Sequence, residues 1–399
     1  MYQIRKGNKY LVFFIVIFVA LPPFAIDTYI PAFGNISDFF NIDVNKVAIT
    51  VSTYLVGFGI GMFFWGALSD RYGRKKILTI GMLIYIISTI FCSFTQNFDT
   101  LISMRFIQGL GDSPAAVAAM AILKDCYRGQ KLMKMMATMV MVFMIAPIVA
   151  PIIGSIIIYT TGSWQDIFHF LTLYGIILLC ITLGMPETLP DYKRSKNLYK
   201  SFKVYFHHLI NVPFIAGSLT GGLCFGALFS FISSSSSLII EHFHLGYMQY
   251  CILFALNICG VIFASNFIRR KVNPSNYRTF IFKGYYFAII VILLNIVSSI
   301  YLDNIYIFII LNSLATGSFA LINIITTSKA IDLLKQGFGA GNAIIRLVKF
   351  VVAGLAGFFL SFLSISKLML GIPIQQLGFI IVSILLFLVI KNRLFPKDN

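Results

Sequence analysis

GALSDRYGRKK, residues Gly66 to Lys76, is a polar and basic turn pinned between two long apolar runs. An apolar run of about 20 residues crosses the ~30 Å hydrocarbon core of a bilayer as a helix. A connection this short makes two such helices antiparallel and places its charges at one membrane face. Working outward with a window of roughly 19 residues, spans are predicted at Tyr10–Pro31, Lys46–Leu68, Ile77–Thr95, Leu101–Leu123, Met133–Tyr159 and Asp166–Met185. Further spans follow at Asn211–Ser235, Tyr247–Ile268, Phe280–Leu302, Ile305–Thr327, Ala340–Leu363 and Met369–Ile390, giving an all-α integral membrane protein of twelve helices. With 58% hydrophobic and 11% charged residues, a water-soluble fold would lack the polar surface to cover itself.

The formal charge of +17 follows alternate connections. One set holds Arg5, Lys6 and Lys9; Arg71, Arg74, Lys75 and Lys76; Lys124, Arg128, Lys131 and Lys134; and Lys193, Arg194, Lys196, Lys200 and Lys203. It continues with Arg269, Arg270, Lys271 and Arg278, then Lys329 and Lys335, then Lys391, Arg393 and Lys397, whereas the other set holds only Lys46 and Lys367. The positive-inside rule then makes both termini cytoplasmic. The basic balance reports topology and calls for no nucleic-acid partner. The first span has the basic start of a signal peptide, but its run continues through Pro22, Pro23 and Asp27 to Pro31 without a convincing small-residue cleavage site, so it is expected to remain. Cys92, Cys126, Cys180, Cys224, Cys251 and Cys259 stand singly without metal or redox spacing and read as packing residues. The longest polar stretch divides the spans equally, predicting a six-helix bundle over residues 1–190, a cytoplasmic linker over 191–210 and a second six-helix bundle over 211–399.

The chain resembles the major facilitator superfamily and, within it, the bicyclomycin-resistance-like (Bcr/CflA) drug:proton antiporters. GALSDRYGRKK matches the superfamily signature after the second span. AIDTYIPAF (Ala25–Phe33) matches the group's first-span motif and RFIQGLGD (Arg105–Asp112) its fourth-span motif. APIVAPIIGS (Ala146–Ser155) resembles the fifth-span antiporter motif, and WQDIF (Trp164–Phe168) with PETL (Pro186–Leu189) resembles the flanks of the sixth span. Ala146, Ala150 and Ser155 depart from the glycines of the broader motif. These stretches crowd the first half; the second half retains only basic charge, Arg269 to Arg278, where a second copy of the turn would fall.

In the turn, Gly66 and Gly73 remove side chains where helix ends approach, while Arg71, Arg74 and Lys75 hold it in the headgroup layer. Asp70 is an acid among these charges. The eleventh span begins after Gly337, Gly339 and Gly341 with a helix amino terminus whose unpaired amides suit a carboxylate. Docking of Asp70 there is a conformational latch, which the resemblance also implies; the alternative is a folding and topology determinant.

Charges inside spans are costly unless paired or wetted, which singles out Asp27, Arg105 and Asp112. Asp27 and Arg105 are expected at matching depth; Arg105, Gln108 and Asp112 share one helix face at i, i+3 and i+7. One reading is a static Asp27–Arg105 ion pair. The other is proton coupling, since burial and a nearby arginine move a carboxylate's proton affinity in opposite directions, and the resemblance assigns coupling importance to Asp27 and Arg105. Asp112 replaces the group's usual small residue. Pro147 and Pro151 bend the fifth span and Gly154 permits close packing, as an ordinary kink or as the leak-limiting element that the antiporter resemblance implies. Tyr29, Gln108, Asn257, Asn312 and Arg346 are candidate substrate-cavity groups. Ser233–Ser237 read as a wet cavity wall or as backbone partners.

No HExxH, GxSxG or GxxxxGK[ST] motif is present, so no enzyme is indicated and energy is expected from a proton gradient, without cofactor or metal. The reading is a monomeric multi-pass transporter of the bacterial inner membrane that exports small drug-like organic compounds in exchange for protons by alternating access. Its alternatives are a transporter of an anionic metabolite, such as a siderophore or organic acid, and a nontransporting receptor or scaffold.

Overall fold

Lipid offers no partner for backbone N–H and C=O groups, so each apolar run closes its hydrogen bonds within itself as a helix. The computed structural model describes residues 9–190, 192, 194, 198–273, 276–334 and 336–395. The expected cytoplasmic charges Arg5, Lys6, Lys193, Lys196, Lys335 and Lys397 lie outside the described residues, as does part of the expected linker.

The helices are α1 (Lys9–Asp27), α2 (Phe33–Phe40), α3 (Val44–Tyr72), α4 (Arg74–Phe94), α5 (Phe98–Cys126), α6 (Gly129–Thr161), α7 (Gln165–Gly184) and α8 (Leu198–Leu209). They continue with α9 (Val212–Ser236), α10 (Tyr247–Lys271), α11 (Tyr277–Tyr301), α12 (Ile305–Asp332), α13 (Phe338–Leu360) and α14 (Leu368–Leu394). Among the described residues, twelve helical stretches are long and apolar enough to cross a membrane, and each expected span falls on one of them. The first span, expected at Tyr10–Pro31, is broken near its end: α1 stops at Asp27, a turn and a short 3-10 segment, Ile30–Ala32, follow, and α2 continues it. The turn between the second and third spans narrows to Gly73 alone, because α3 runs through Asp70 and Arg71 to Tyr72.

The chain divides into two compact units, Met1–Asn35 with Thr53–Val204 and Ile36–Ser52 with Tyr205–Asn399. In the first, α4 packs on α5 and α7, and α1 on α6. In the second, α9 packs on α12, α13 and α14, and α10 on α12; here Asn45 donates to the Leu363 carbonyl at 2.7 Å.

The two units repeat one helix crossing that their sequences conceal. A Cβ added at Gly57 of α3 would lie 2.2 Å from the Phe106 carbonyl oxygen of α5, and one added at Gly260 of α10 would lie 2.0 Å from the Ser313 carbonyl oxygen of α12. Both α5 and α12 are capped by an asparagine, Asn97 and Asn304, whose side chain accepts two backbone amides of the first turn. Eight residues beyond each cap, 97 to 105 and 304 to 312, stand Arg105 and Asn312. The same register thus carries a charge in one unit and a neutral amide in the other.

Candidate coupling and transport site

Three of the quoted motifs meet around Arg105, whose side chain is fully buried. Its Nη1 donates to the Ala25 carbonyl at 3.1 Å and to Gln108 Oε1 at 2.6 Å. Gln108 passes the interaction on, donating to Thr89 Oγ1 at 2.8 Å. The guanidinium carbon lies 4.7 Å from the Tyr29 and Tyr54 ring centroids and 5.8 Å from that of Phe168. Aromatic faces attract a cation most strongly where water is excluded, so the cage holds the charge without a carboxylate. Arg105 Nε and Nη2 have no hydrogen-bond acceptor.

The expected ion pair between Asp27 and Arg105 is not made. The physical reason is local: the guanidinium is taken up by the α1 backbone at Ala25, by Gln108 and by the aromatic cage. Asp27 is buried at the broken end of α1. The next residue, Thr28, turns its hydroxyl onto the Phe24 carbonyl, and a Cβ at Gly154 of α6 would meet the Thr28 carbonyl at 2.0 Å. The fifth-span glycine therefore presses on the break beside Asp27, while Pro147 and Pro151 lie within one continuous α6.

Asp112 is fully buried and accepts a hydrogen bond from the Tyr54 hydroxyl, leaving its second oxygen without a partner. Tyr54 thus touches both Arg105, through its ring, and Asp112, through its hydroxyl. Sequence reasoning did not single it out. A signal existed in Tyr54, Gly57 and Gly61 at i, i+3 and i+7, one face of α3.

Tyr29, Gln108, Asn257 and Asn312 were expected at a cavity, yet all are buried and spent on protein partners. Asn312 Nδ2 donates to Asn257 Oδ1 at 2.7 Å, and Gln376 Nε2 donates to Asn312 Oδ1 at 3.0 Å and to the Ala227 carbonyl at 3.1 Å. These bonds tie α9, α10, α12 and α14 together because buried amides must find partners. Ser233 and Ser235 return to the carbonyls of Phe229 and Ile232 at 2.9 Å, while the buried hydroxyls of Ser236 and Ser237 have no hydrogen-bond partner. Arg346 is different: it and Lys349 stand one turn apart on α13, half-buried, with no carboxylate within ion-pair distance among the described residues. Of the cysteines read as packing residues, Cys92, Cys224 and Cys251 are buried, Cys126 is half-exposed, and Cys180 and Cys259 are exposed.

The sequence model of the Major Facilitator Superfamily matches residues 12–357. The chain belongs to the Major Facilitator Superfamily. It is 31% identical over 268 residues to the uncharacterized MFS-type transporter YdgK of Bacillus subtilis, covering 66% of this chain and 67% of that one. It is 28% identical over 250 residues to the bicyclomycin resistance protein homolog of Haemophilus influenzae, covering 61% and 62%. Multidrug resistance protein D of Escherichia coli is 27% identical over 274 residues, with 67% of each chain covered. The fold matches a bacterial homologue of the human lysosomal transporter Spinster with a TM-score of 0.73 at 12% identity, over 99% of both chains. It also matches the human organic anion transporter MFSD10 with a TM-score of 0.64 at 14% identity, over 96% of this chain and 99% of that one. The protein is a multi-pass membrane transporter and not an enzyme.

In this superfamily member the signature turn is a charge-locked helix junction. Arg74 donates to Asp70 at 2.6 Å, to Ser69 at 2.9 Å and to Asp125 at 3.2 Å. Glu187, from PETL, accepts the backbone amides of Arg74 at 2.9 Å and Lys75 at 3.2 Å. It caps α4 from a distance, since helix amino termini leave amides unpaired and favour negative charge. Gly73 has φ +97° and ψ 159°, a region essentially reserved for glycine, and its absent Cβ would meet Glu187 Oε2 at 2.2 Å. Gly66 lies inside α3, Arg71 sits over Tyr72 at 5.4 Å, and Lys75 Nζ donates to the Leu183 carbonyl at 2.6 Å. Gly73→Ala is expected to lower stability by about 1–3 kcal/mol, seen as a lower melting temperature of the purified protein. An unchanged melting temperature would contradict this account of the turn.

Proposed function

We propose that the protein exports small, drug-like organic compounds across the bacterial inner membrane in exchange for protons, by alternating access. The observation that carries this reading is the pair of buried carboxyls, Asp27 and Asp112, in the spans of the first unit, neither ion-paired with the equally buried Arg105. Ionisable groups inside a membrane protein mark ion or proton pathways. In the proposed cycle Asp27 carries the exchanged proton, and the arrangement described above is its proton-loaded limb, with Arg105 satisfied by neutral partners. Proton release restores a charge at the break of α1, and the position of Arg105 within reach of that helix links proton and substrate through one conformational equilibrium. The relatives named for multidrug and bicyclomycin resistance support the substrate class. Asp70, exposed and held by Arg74, remains the proposed movable member of the signature turn.

Arg346 and Lys349, two half-buried cations without a carboxylate within ion-pair distance among the described residues, favour a second reading in which the compound carries an anionic group. Inverted vesicles with an imposed pH gradient test both. Accumulation of lipophilic neutral or cationic compounds that collapses with the gradient supports drug export. Accumulation of organic acids alone supports the second reading, and no gradient-dependent flux of either class rejects proton-coupled export.

A further inference from the structure

We propose that the second unit holds one anionic phospholipid in a groove between α10, α11 and α12. The groove encloses about 580 Å³ and is walled by Phe263, Phe267, Phe280 and Phe287. Phe263 is 75% exposed, so the groove opens outward. Gly260, Gly284 and Gly317 also line it. Gly260 and Gly317 allow α10 and α12 to touch backbone to backbone.

Among the described residues, the charged group in the lining is Lys283. Its Nζ lies 5.8 Å from the Phe280 ring centroid, and it has no carboxylate within ion-pair distance among the described residues. The groove adjoins the basic end of the unit, where α10 finishes in Arg269, Arg270 and Lys271 and α11 begins beside Arg278. From Phe267 to Cys259 the α10 wall extends roughly 12 Å, close to the ~15 Å depth of one hydrocarbon leaflet. An acyl chain therefore lies between the phenylalanines while the Lys283 ammonium, on its flexible stem, reaches toward the headgroup phosphate. Charge complementarity selects the occupant: basic residues at a membrane surface attract anionic headgroups, whereas a neutral chain alone leaves Lys283 unanswered.

The test is native mass spectrometry of the purified full chain, released from detergent in the presence of phosphatidylglycerol or phosphatidylcholine with identical acyl chains. The parent is expected to retain one phosphatidylglycerol roughly fivefold better than phosphatidylcholine, the worth of one cation near a headgroup. Lys283→Gln is expected to bring the two lipids to parity, Lys283→Arg to keep the preference, and Cys259→Phe, which fills the deep end, to weaken retention of both. Equal retention of the two lipids by the parent, or a preference unchanged in Lys283→Gln, overturns the proposal. If Lys283→Gln does not fold, loss of the preference in Lys283→Arg overturns it too. Ethidium retained in place of lipid and expelled by Cys259→Phe also overturns it, assigning the groove to a lipophilic compound. None of these readouts depends on transport, so their failure leaves the exporter reading untouched.

Discussion

Arg105→Lys is expected to lower substrate export by roughly tenfold or more and to lower the melting temperature of the purified protein, through lost charge-assisted bonds worth about 1.5–3 kcal/mol. The guanidinium joins the Ala25 carbonyl to Gln108 while lying against the Tyr29 and Tyr54 rings. Lysine keeps the charge but is a compact ammonium on a flexible stem, without the planar guanidinium that lies against two ring faces while its Nη1 serves both acceptors. Gln108 then loses its charged donor, and its link to Thr89 loosens with it. Export and melting temperature equal to the parent's would show that charge alone suffices and that the cage has no part in the cycle.

The second large effect is expected at the repeated helix crossing. Gly57→Leu and Gly260→Leu place a side chain where even a Cβ would lie 2.2 Å and 2.0 Å from a backbone carbonyl oxygen. A backbone oxygen inside a packed helix cannot rotate away, so the helices must part and the polar bonds across the crossing must lengthen. Overpacking costs about 1–3 kcal/mol at forgiving sites; here both substitutions are expected to prevent recovery of a monodisperse protein. Gly57→Ala and Gly260→Ala are expected to survive with a lowered melting temperature. Gly378→Ala, at an exposed helical position with nothing within 4 Å, is expected to be neutral or stabilising, because glycine costs a helix roughly 0.5–1 kcal/mol relative to alanine. Equal tolerance at Gly57, Gly260 and Gly378 would remove the crossing as a structural determinant.

The twelve spans were legible because the solvent demands them: an apolar run without water must close its own hydrogen bonds. Their ends were less so. Hydropathy stops α3 at Leu68, but the backbone continues helical through Asp70 to Tyr72 because Arg74 and Glu187 satisfy that junction. The motif residues were legible as a set, and the structure gathers Ala25, Tyr29, Arg105, Gln108 and Phe168 into one cluster. Their pairing was not. Matching depth suggested Asp27 opposite Arg105, but depth leaves undecided which neighbour on the facing helix a guanidinium chooses, and a backbone carbonyl leaves no trace in a residue pattern. Tyr54 escaped for the same reason, since a tyrosine in an apolar run reads as packing until its hydroxyl is seen on Asp112. The internal repeat was hidden because close helix crossings conserve glycine and register, while Arg105 and Asn312 differ in charge.

The most direct test of the central claim compares Asp27→Asn with Asp112→Asn in proteoliposomes, measuring substrate binding and accumulation driven by an imposed pH gradient. Asparagine keeps the size and the hydrogen-bonding capacity of either side chain and removes only the titration. The account predicts that Asp27→Asn binds substrate, with a weaker pH dependence than the parent, and fails to concentrate it, while Asp112→Asn still concentrates it. Accumulation by Asp27→Asn equal to the parent's, with loss in Asp112→Asn, would contradict the account and move the exchanged proton to the Tyr54–Asp112 pair.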